Sequence, residues 1–386
     1  MTTLDICICG AGRTGHLYAA LLKQLDDVRV SVLSRRANEV RKGLSSDGIR
    51  AELPDGRVIY GYPDAVSDDP SIVLPSADLI ILALPAHIRP AALNTIAQHL
   101  NVRKPVGVGA IPGSAGFDWL AARTLPESAV IWGFRDVPYS CYDLVPGSSV
   151  VAGGMTKRLL LGFHQRTLEA QRDLLRQKIE YIFEQDIVLV DDFLELTLAF
   201  GNPVMHLPAL YALIGPYSRN PRAEFSKRLY WWKDISELGA YFIDRCAEEQ
   251  YEIIEQARER FGLSLGSLRP LYADLLDDFA DYIYDKTDLY SVLRTNSAFK
   301  GKVPLKKIDS KEAYVVDTTS RIFQEDTSYG ISLILEIAKR LDMEPFHLKE
   351  IGFWSQRFSD PSFRTAASYV PANWPISEKQ DLEYIA

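Results

Sequence analysis

Hydrophobic positions in the first half of the chain gather in short runs. Residues 4–9, 28–33, 79–84, 106–110 and 129–132 are each mostly apolar, as strands buried on both faces of a parallel sheet are. Stretches of helical period separate most of them. That alternation predicts an α/β, doubly wound Rossmann domain over residues 1–190. Between Gly48 and Tyr62, the turn Pro54-Asp55-Gly56 divides two alternating segments, which predicts a hairpin inserted after the second strand. From about residue 190 the pattern lengthens. Residues 234–260 and 328–340 are amphipathic with the period of a helix, and strand-like runs nearly vanish. A mainly α-helical domain over residues 191–386 is the expectation, and 386 residues are enough for two separate cores.

Composition narrows the partners. With 47% hydrophobic and 24% charged residues the chain reads as globular. A formal net charge of -8 gives no basic field, so nucleic acid and anionic membrane are not expected partners. No run approaching the roughly 20 apolar residues of a membrane span stands out. Cys7, Cys9, Cys141 and Cys246 are scattered, as buried thiols of a reducing compartment are, and a cytoplasmic location is expected. The six histidines and four cysteines show no ligand spacing, so no metal is expected.

Gly10, Ala11, Gly12, Arg13, Thr14 and Gly15 form a G-x-G-x-x-G motif directly after the first strand and ahead of a helical pattern. Gly10 suits a tight turn, Gly12 lets a pyrophosphate approach the backbone, and Gly15 allows helix and strand to pack closely. An NAD site usually carries Asp or Glu after the second strand, where it bonds the ribose hydroxyls. Here Ser34, Arg35 and Arg36 follow it. Guanidinium groups match a 2'-phosphate in shape and charge, so NADP(H) is predicted over NAD(H). Leu84, Pro85 and Ala86, then Pro112 and Gly113, follow later strands, at the sheet end where such folds bind ligands. His87 reads as an ordinary loop residue.

The second half holds two constellations. In the first, Asn202 suits a helix cap, Pro203 its first position, and His206 its opening turns, with Pro208 as an irregularity. The second contains Arg321, Glu325 and Asp326 ahead of a helical run. Read by themselves, Asp326 suits a helix N-cap and Arg321 a surface cation.

With an Asn-Pro-x-x-His segment followed by an Arg and, five residues on, the Asp of a Glu-Asp pair, the chain resembles the opine dehydrogenase family, octopine dehydrogenase included. Asn296, Ala298, Phe299 and Gly301 are similar to the family's stretch before the second motif. The resemblance implies condensation of an α-keto acid with the amino group of an amino acid and reduction of the imine by NAD(P)H. It implies that His206 is the catalytic acid and base, with Asp326 and Arg321 as its partners. The expected partners are therefore these two small substrates, with a homodimer as the candidate assembly.

Phe134-Arg135-Asp136-Val137-Pro138-Tyr139 departs from the family's Glu-Thr before Pro-Tyr. That leaves Arg135 to meet an acidic substrate or Asp136. Tyr230, Trp231 and Trp232 read as core or dimer packing rather than as part of the site. Two rival readings stay open: a ketopantoate-like keto acid reductase, which needs no amine, and a non-catalytic NADP-binding sensor.

Overall fold

The computed structural model describes residues 3–199, 201–216, 223–362 and 364–375, in two compact units that divide at Thr197/Leu198.

The first unit contains strands β1 (Leu4–Cys9), β2 (Val28–Leu33), β3 (Ile49–Glu52), β4 (Val58–Gly61), β5 (Ala65–Ser67) and β6 (Leu79–Leu82). After them come β7 (Val106–Ala110), β8 (Ala129–Phe134), β9 (Tyr139–Val145), β10 (Ser149–Met155), β11 (Arg158–Phe163) and β12 (Asp186–Leu189). Eight of them form one sheet in the order β12-β11-β8-β7-β6-β1-β2-β5. From β5 to β8 every neighbouring pair is parallel. The winding reverses beside β1, and the crevice at that switch point lies at the strands' carboxyl ends. Every residue of β6, β7 and β8 is buried, which explains their continuous apolar runs. β11 then runs antiparallel to β8.

The inserted hairpin is present. β3 and β4 pair antiparallel, and Gly56 takes φ +85° in their turn, where a side chain would be strained. β10 and β9 extend the hairpin into a second sheet, ordered β4-β3-β10-β9.

The second unit is mainly helical, with helices Asn202–Ile214, Glu237–Phe261, Leu271–Phe279, Leu289–Thr295, Ser332–Arg340 and Phe346–Ser355. Ser236 caps the longest, its Oγ accepting from the Gly239 N–H, and Gly262 ends it at φ +61°. Strands Leu305–Lys307 and Tyr314–Val316 make a small antiparallel pair.

Sequence expectations need correction at several points here. Helix Asn202–Ile214 has Gly201 as its N-cap and no side-chain cap, so Asn202 is its first residue rather than its cap. Pro203 consequently sits at the second position. Pro208 lies inside the helix; its ring removes the bond to the Val204 carbonyl, and burial of Leu207, Ala209 and Leu210 holds the helix through it. Residues 194–214 do reach the length and hydropathy of a membrane span by composition, but 65% of their most apolar 18-residue window is buried within the protein, as core segments are. Ahead of Ser332–Arg340 the chain forms a π-helix, Phe323–Ile331. Asp326 lies within it, not at a helix N-cap.

Candidate active site

The glycine motif forms the turn from β1 into helix Arg13–Leu22. Gly10 has φ +121°, and a Cβ there would stand 2.5 Å from the Ala83 carbonyl oxygen after β6. At Gly15 a Cβ would meet the Gly10 carbonyl oxygen at 1.9 Å. Both positions exclude any larger residue. Gly12 is the opposite case, because a Cβ there meets nothing within 4 Å. Gly12 is also the helix N-cap, without a side-chain cap and without an acidic residue in the first turn. Open space in front of uncapped N–H groups at the positive end of a helix fits a pyrophosphate.

His16 stabilises that turn from below. Its Nδ1–H donates to the Gly12 carbonyl at 2.9 Å and its Nε2 accepts from the Gly147 N–H at 2.8 Å. Burial pushes its pKa below the ordinary histidine value, so it remains a neutral strut between the motif and the β9–β10 turn. Leu84 and Pro85 follow β6 and lead into a short 3-10 helix that begins at Ala86, while Pro112 and Gly113 follow β7. Arg89 ties them together. Its guanidinium donates to the carbonyls of Leu84 (3.3 Å), Pro112 (2.9 Å) and Ser114 (2.6 Å) and is 4% exposed. Sequence reasoning missed both residues, because a buried histidine or arginine that satisfies backbone groups has no local signature.

After β2, the Ser34 Oγ accepts from the Arg36 N–H at 3.1 Å. The Arg36 side chain grips Glu39 twice, Nε to Oε2 at 2.5 Å and Nη2 to Oε1 at 2.7 Å. Glu39 holds the Arg36 guanidinium above its usual pKa. Arg35 is exposed. Two guanidinium groups therefore stand at the end of β2, one of them already occupied by a carboxylate.

In the second unit, His206 and Asp326, 120 positions apart, meet. Nδ1 lies 3.0 Å from Oδ2, with the side chains 18% and 5% exposed. A carboxylate is acceptor only, so Nδ1 carries the proton and Nε2 is the basic atom. The π-helix re-aims its side chains relative to an α-helix, a device often found at functional sites. Arg321 is not brought into this pair; it is exposed, just ahead of the π-helix.

Trp231 and Trp232 are buried packing residues, as read from sequence, and the ring they pack on is that of His206. Trp231 stacks on the His206 ring with centroids 4.5 Å apart and planes 24° from parallel, and Trp232 lies 5.9 Å away at 15°. Both are nearly buried. The adjacent run of aromatic residues was the only signal, and nothing local linked it to His206. Arg135 bonds Asp136, Nε to Oδ2 at 2.6 Å.

Comparison with known proteins follows the same division. The family model described as NAD/NADP octopine/nopaline dehydrogenase, alpha-helical domain, matches residues 189–358, and that of ketopantoate reductase PanE/ApbA matches residues 6–108. An uncharacterized protein, y4xO of Sinorhizobium fredii, is 38% identical over 96% of this chain and 99% of its own. Octopine dehydrogenase of Mizuhopecten yessoensis is 25% identical over 87% of this chain and 85% of its own. Among solved structures, octopine dehydrogenase with NADH and L-arginine superposes with a TM-score of 0.79 at 22% identity, covering 92% of this chain and 89% of that one. The chain belongs to the opine dehydrogenase family and is an NAD(P)-dependent oxidoreductase acting on CH–NH substrates.

Proposed function

We propose that the protein is an NADP(H)-dependent opine dehydrogenase that condenses an α-keto acid with the amino group of an amino acid and reduces the resulting imine. The observation that carries this reading is the His206 Nδ1 to Asp326 Oδ2 bond of 3.0 Å across 120 positions, in a chain of this family. His206 Nε2 removes a proton from the attacking ammonium group, then returns one to the carbinolamine hydroxyl as water leaves. Asp326 fixes the ring's tautomer and stabilises the imidazolium. Arg321 supplies a guanidinium for the keto acid's carboxylate. Gly10, Ala11, Gly12, Arg13, Thr14 and Gly15 cradle the pyrophosphate, and Leu84, Pro85, Ala86, Pro112 and Gly113 line the path to the nicotinamide. A reduced nicotinamide held there supplies hydride to the imine carbon. Ser34, Arg35 and Arg36 receive the 2'-phosphate, which supports NADPH over NADH.

The test is NADPH consumption with pyruvate, 2-oxoglutarate or glyoxylate crossed against a panel of amino acids, each substrate also supplied alone. Oxidation that requires both partners is the expected result. A second reading, a reductase acting on a keto acid alone, draws on the ketopantoate reductase match to residues 6–108; oxidation without an amine selects it. No oxidation with any pair, alongside tight NADPH binding, overturns the proposal in favour of a sensor.

A further inference from the structure

The residues around the His206 ring confine it on more than one side. Asp326 holds Nδ1 in the ring plane, while Trp231 and Trp232 stack on its π-face and lie 5.9 Å from one another. Trp231 is itself locked in place. Its backbone N–H donates to the Gly301 carbonyl at 3.0 Å, the Val303 N–H donates to the Leu229 carbonyl at 2.9 Å, and Tyr230 pairs with Lys302 between them. A Cβ at Gly301 would stand 3.0 Å from Trp231 Cδ1, so the indole packs flush against a residue with no side chain. Phe299 packs on Trp232 at 6.1 Å and on Phe279 at 4.9 Å. The segment containing Phe299 and Gly301 thus has a physical task, which is to press two indoles onto one imidazole.

We infer that Trp231 is a positioning residue for proton transfer at His206, fixing the plane of the ring and favouring its protonated form through the negative face of the indole. The inference rests on the proposed acid–base role of His206. A cation over an indole face is attracted to it, and the attraction grows as water is excluded. Trp231 is 6% exposed and Trp232 7%, so little water intervenes. Among the other charges on these segments, Lys233 follows Trp232, Lys300 and Lys302 flank Gly301, and Lys302 Nζ lies 5.9 Å from the Tyr230 ring centroid. Glu350 of helix Phe346–Ser355 bonds the Tyr211 hydroxyl, Glu249 of helix Glu237–Phe261 bonds His347, and Asp234 bonds Lys227. On the π-helix Asp326 faces the ring, with Glu325 beside it in sequence. Asp326 and Trp231 therefore act in the same direction, one through the ring edge and the other through its face.

The experiment is an NMR titration of the His206 ring in the full-length protein, its signal assigned by loss in His206→Ala, together with the pH profile of the reductive reaction. In Trp231→Leu the acid limb of the profile, set by the neutral ring that takes the first proton, moves about half a pH unit lower, and the ring titration moves with it. In the same variant kcat drops roughly tenfold with KM nearly unchanged, as for other residues that orient a catalytic group. Trp231→Phe restores most of both. If Trp231→Leu does not fold, uniform replacement of tryptophan by its fluorinated analogue keeps the stack's shape while weakening the negative face, and the ring pKa must still fall. An unshifted ring pKa in either protein overturns the inference even if kcat drops. Near-normal turnover by His206→Ala overturns instead the proposed function on which it rests.

Discussion

The nucleotide-binding unit and the helical unit build their sites from opposite materials. In the first, the motif is continuous from Gly10 to Gly15 and works through backbone shape: the turn exists because side chains are missing where a Cβ would lie 1.9 Å from a carbonyl oxygen. In the second, the pair His206 and Asp326 is assembled across 120 positions and works through functional groups. A backbone-built site is broken by adding atoms. A side-chain-built site is broken by removing one nitrogen or oxygen, with little effect on the fold around it.

The largest predicted effect tests the second half of that contrast. His206→Ala should lower kcat by about a thousandfold, within the usual range for loss of a general acid–base, while NADPH affinity stays near that of the parent. Asp326→Asn keeps the shape and should cost roughly ten to a hundredfold. Gly15→Ala should do the reverse. Its methyl group must displace the Gly10 carbonyl, with a penalty of about 1–3 kcal/mol as in other overpacked sites, read as a lower Tm and weaker NADPH binding. If His206→Ala weakened NADPH binding as much as Gly15→Ala does, the division between the two units would fail.

The same division explains what could be read in the sequence. Continuous apolar runs marked the buried parallel strands, and the glycine spacing marked the turn, because both are local consequences of backbone geometry. Pro54, Asp55 and Gly56 marked the hairpin for the same reason. The helical unit gave less. His206 and Asp326 were found only through the resemblance of two short motifs, since no local rule connects positions so far apart. Asp326 was also placed at a helix start, because a π-helix has no sequence signature distinct from that of an α-helix. Trp231 and Trp232 were assigned to packing, which is true of their burial but omits the ring they pack on. Arg89 and His16 escaped notice because both serve backbone groups.

Asp118 offers a sharper test inside the nucleotide-binding unit, where a side chain works against the fold. It is 5% exposed, and burial, with a smaller contribution from the Asp192 carboxylate, pushes its pKa up from 3.8 to about 8. A raised carboxyl pKa means that the folded protein keeps a proton which the unfolded chain releases above about pH 4. Stability from this group is therefore highest below pH 4, declines as the pH rises to about 8, and is constant beyond. Asp118→Asn removes the titration. Its Tm advantage over the parent should be near zero at pH 4 and reach a few degrees, on the order expected for a chain of this size, at pH 8. A constant difference across that range would show that Asp118 does not titrate in this window.

The smallest effect concerns the end of β2, the one place in the nucleotide-binding unit where recognition is proposed to depend on side chains. Glu39 opposes 2'-phosphate binding in two ways: it occupies the Arg36 guanidinium, and its own charge repels the phosphate. Glu39→Gln frees the guanidinium without changing the side chain's length, so NADPH affinity should rise roughly threefold while NADH affinity stays put, a modest change because exposed ion pairs are weak and screened by salt. Arg35→Asp should move the same ratio the other way, by about tenfold. Both follow from isothermal titration with each nucleotide at two salt concentrations, since an electrostatic origin requires the Glu39→Gln gain to shrink as salt is added. Were Glu39→Gln to leave the NADPH to NADH ratio unchanged and Arg35→Asp to lower both affinities alike, the basic residues after β2 would be a solvated turn. Cofactor choice would then rest with the backbone, as everything else in that unit's site does.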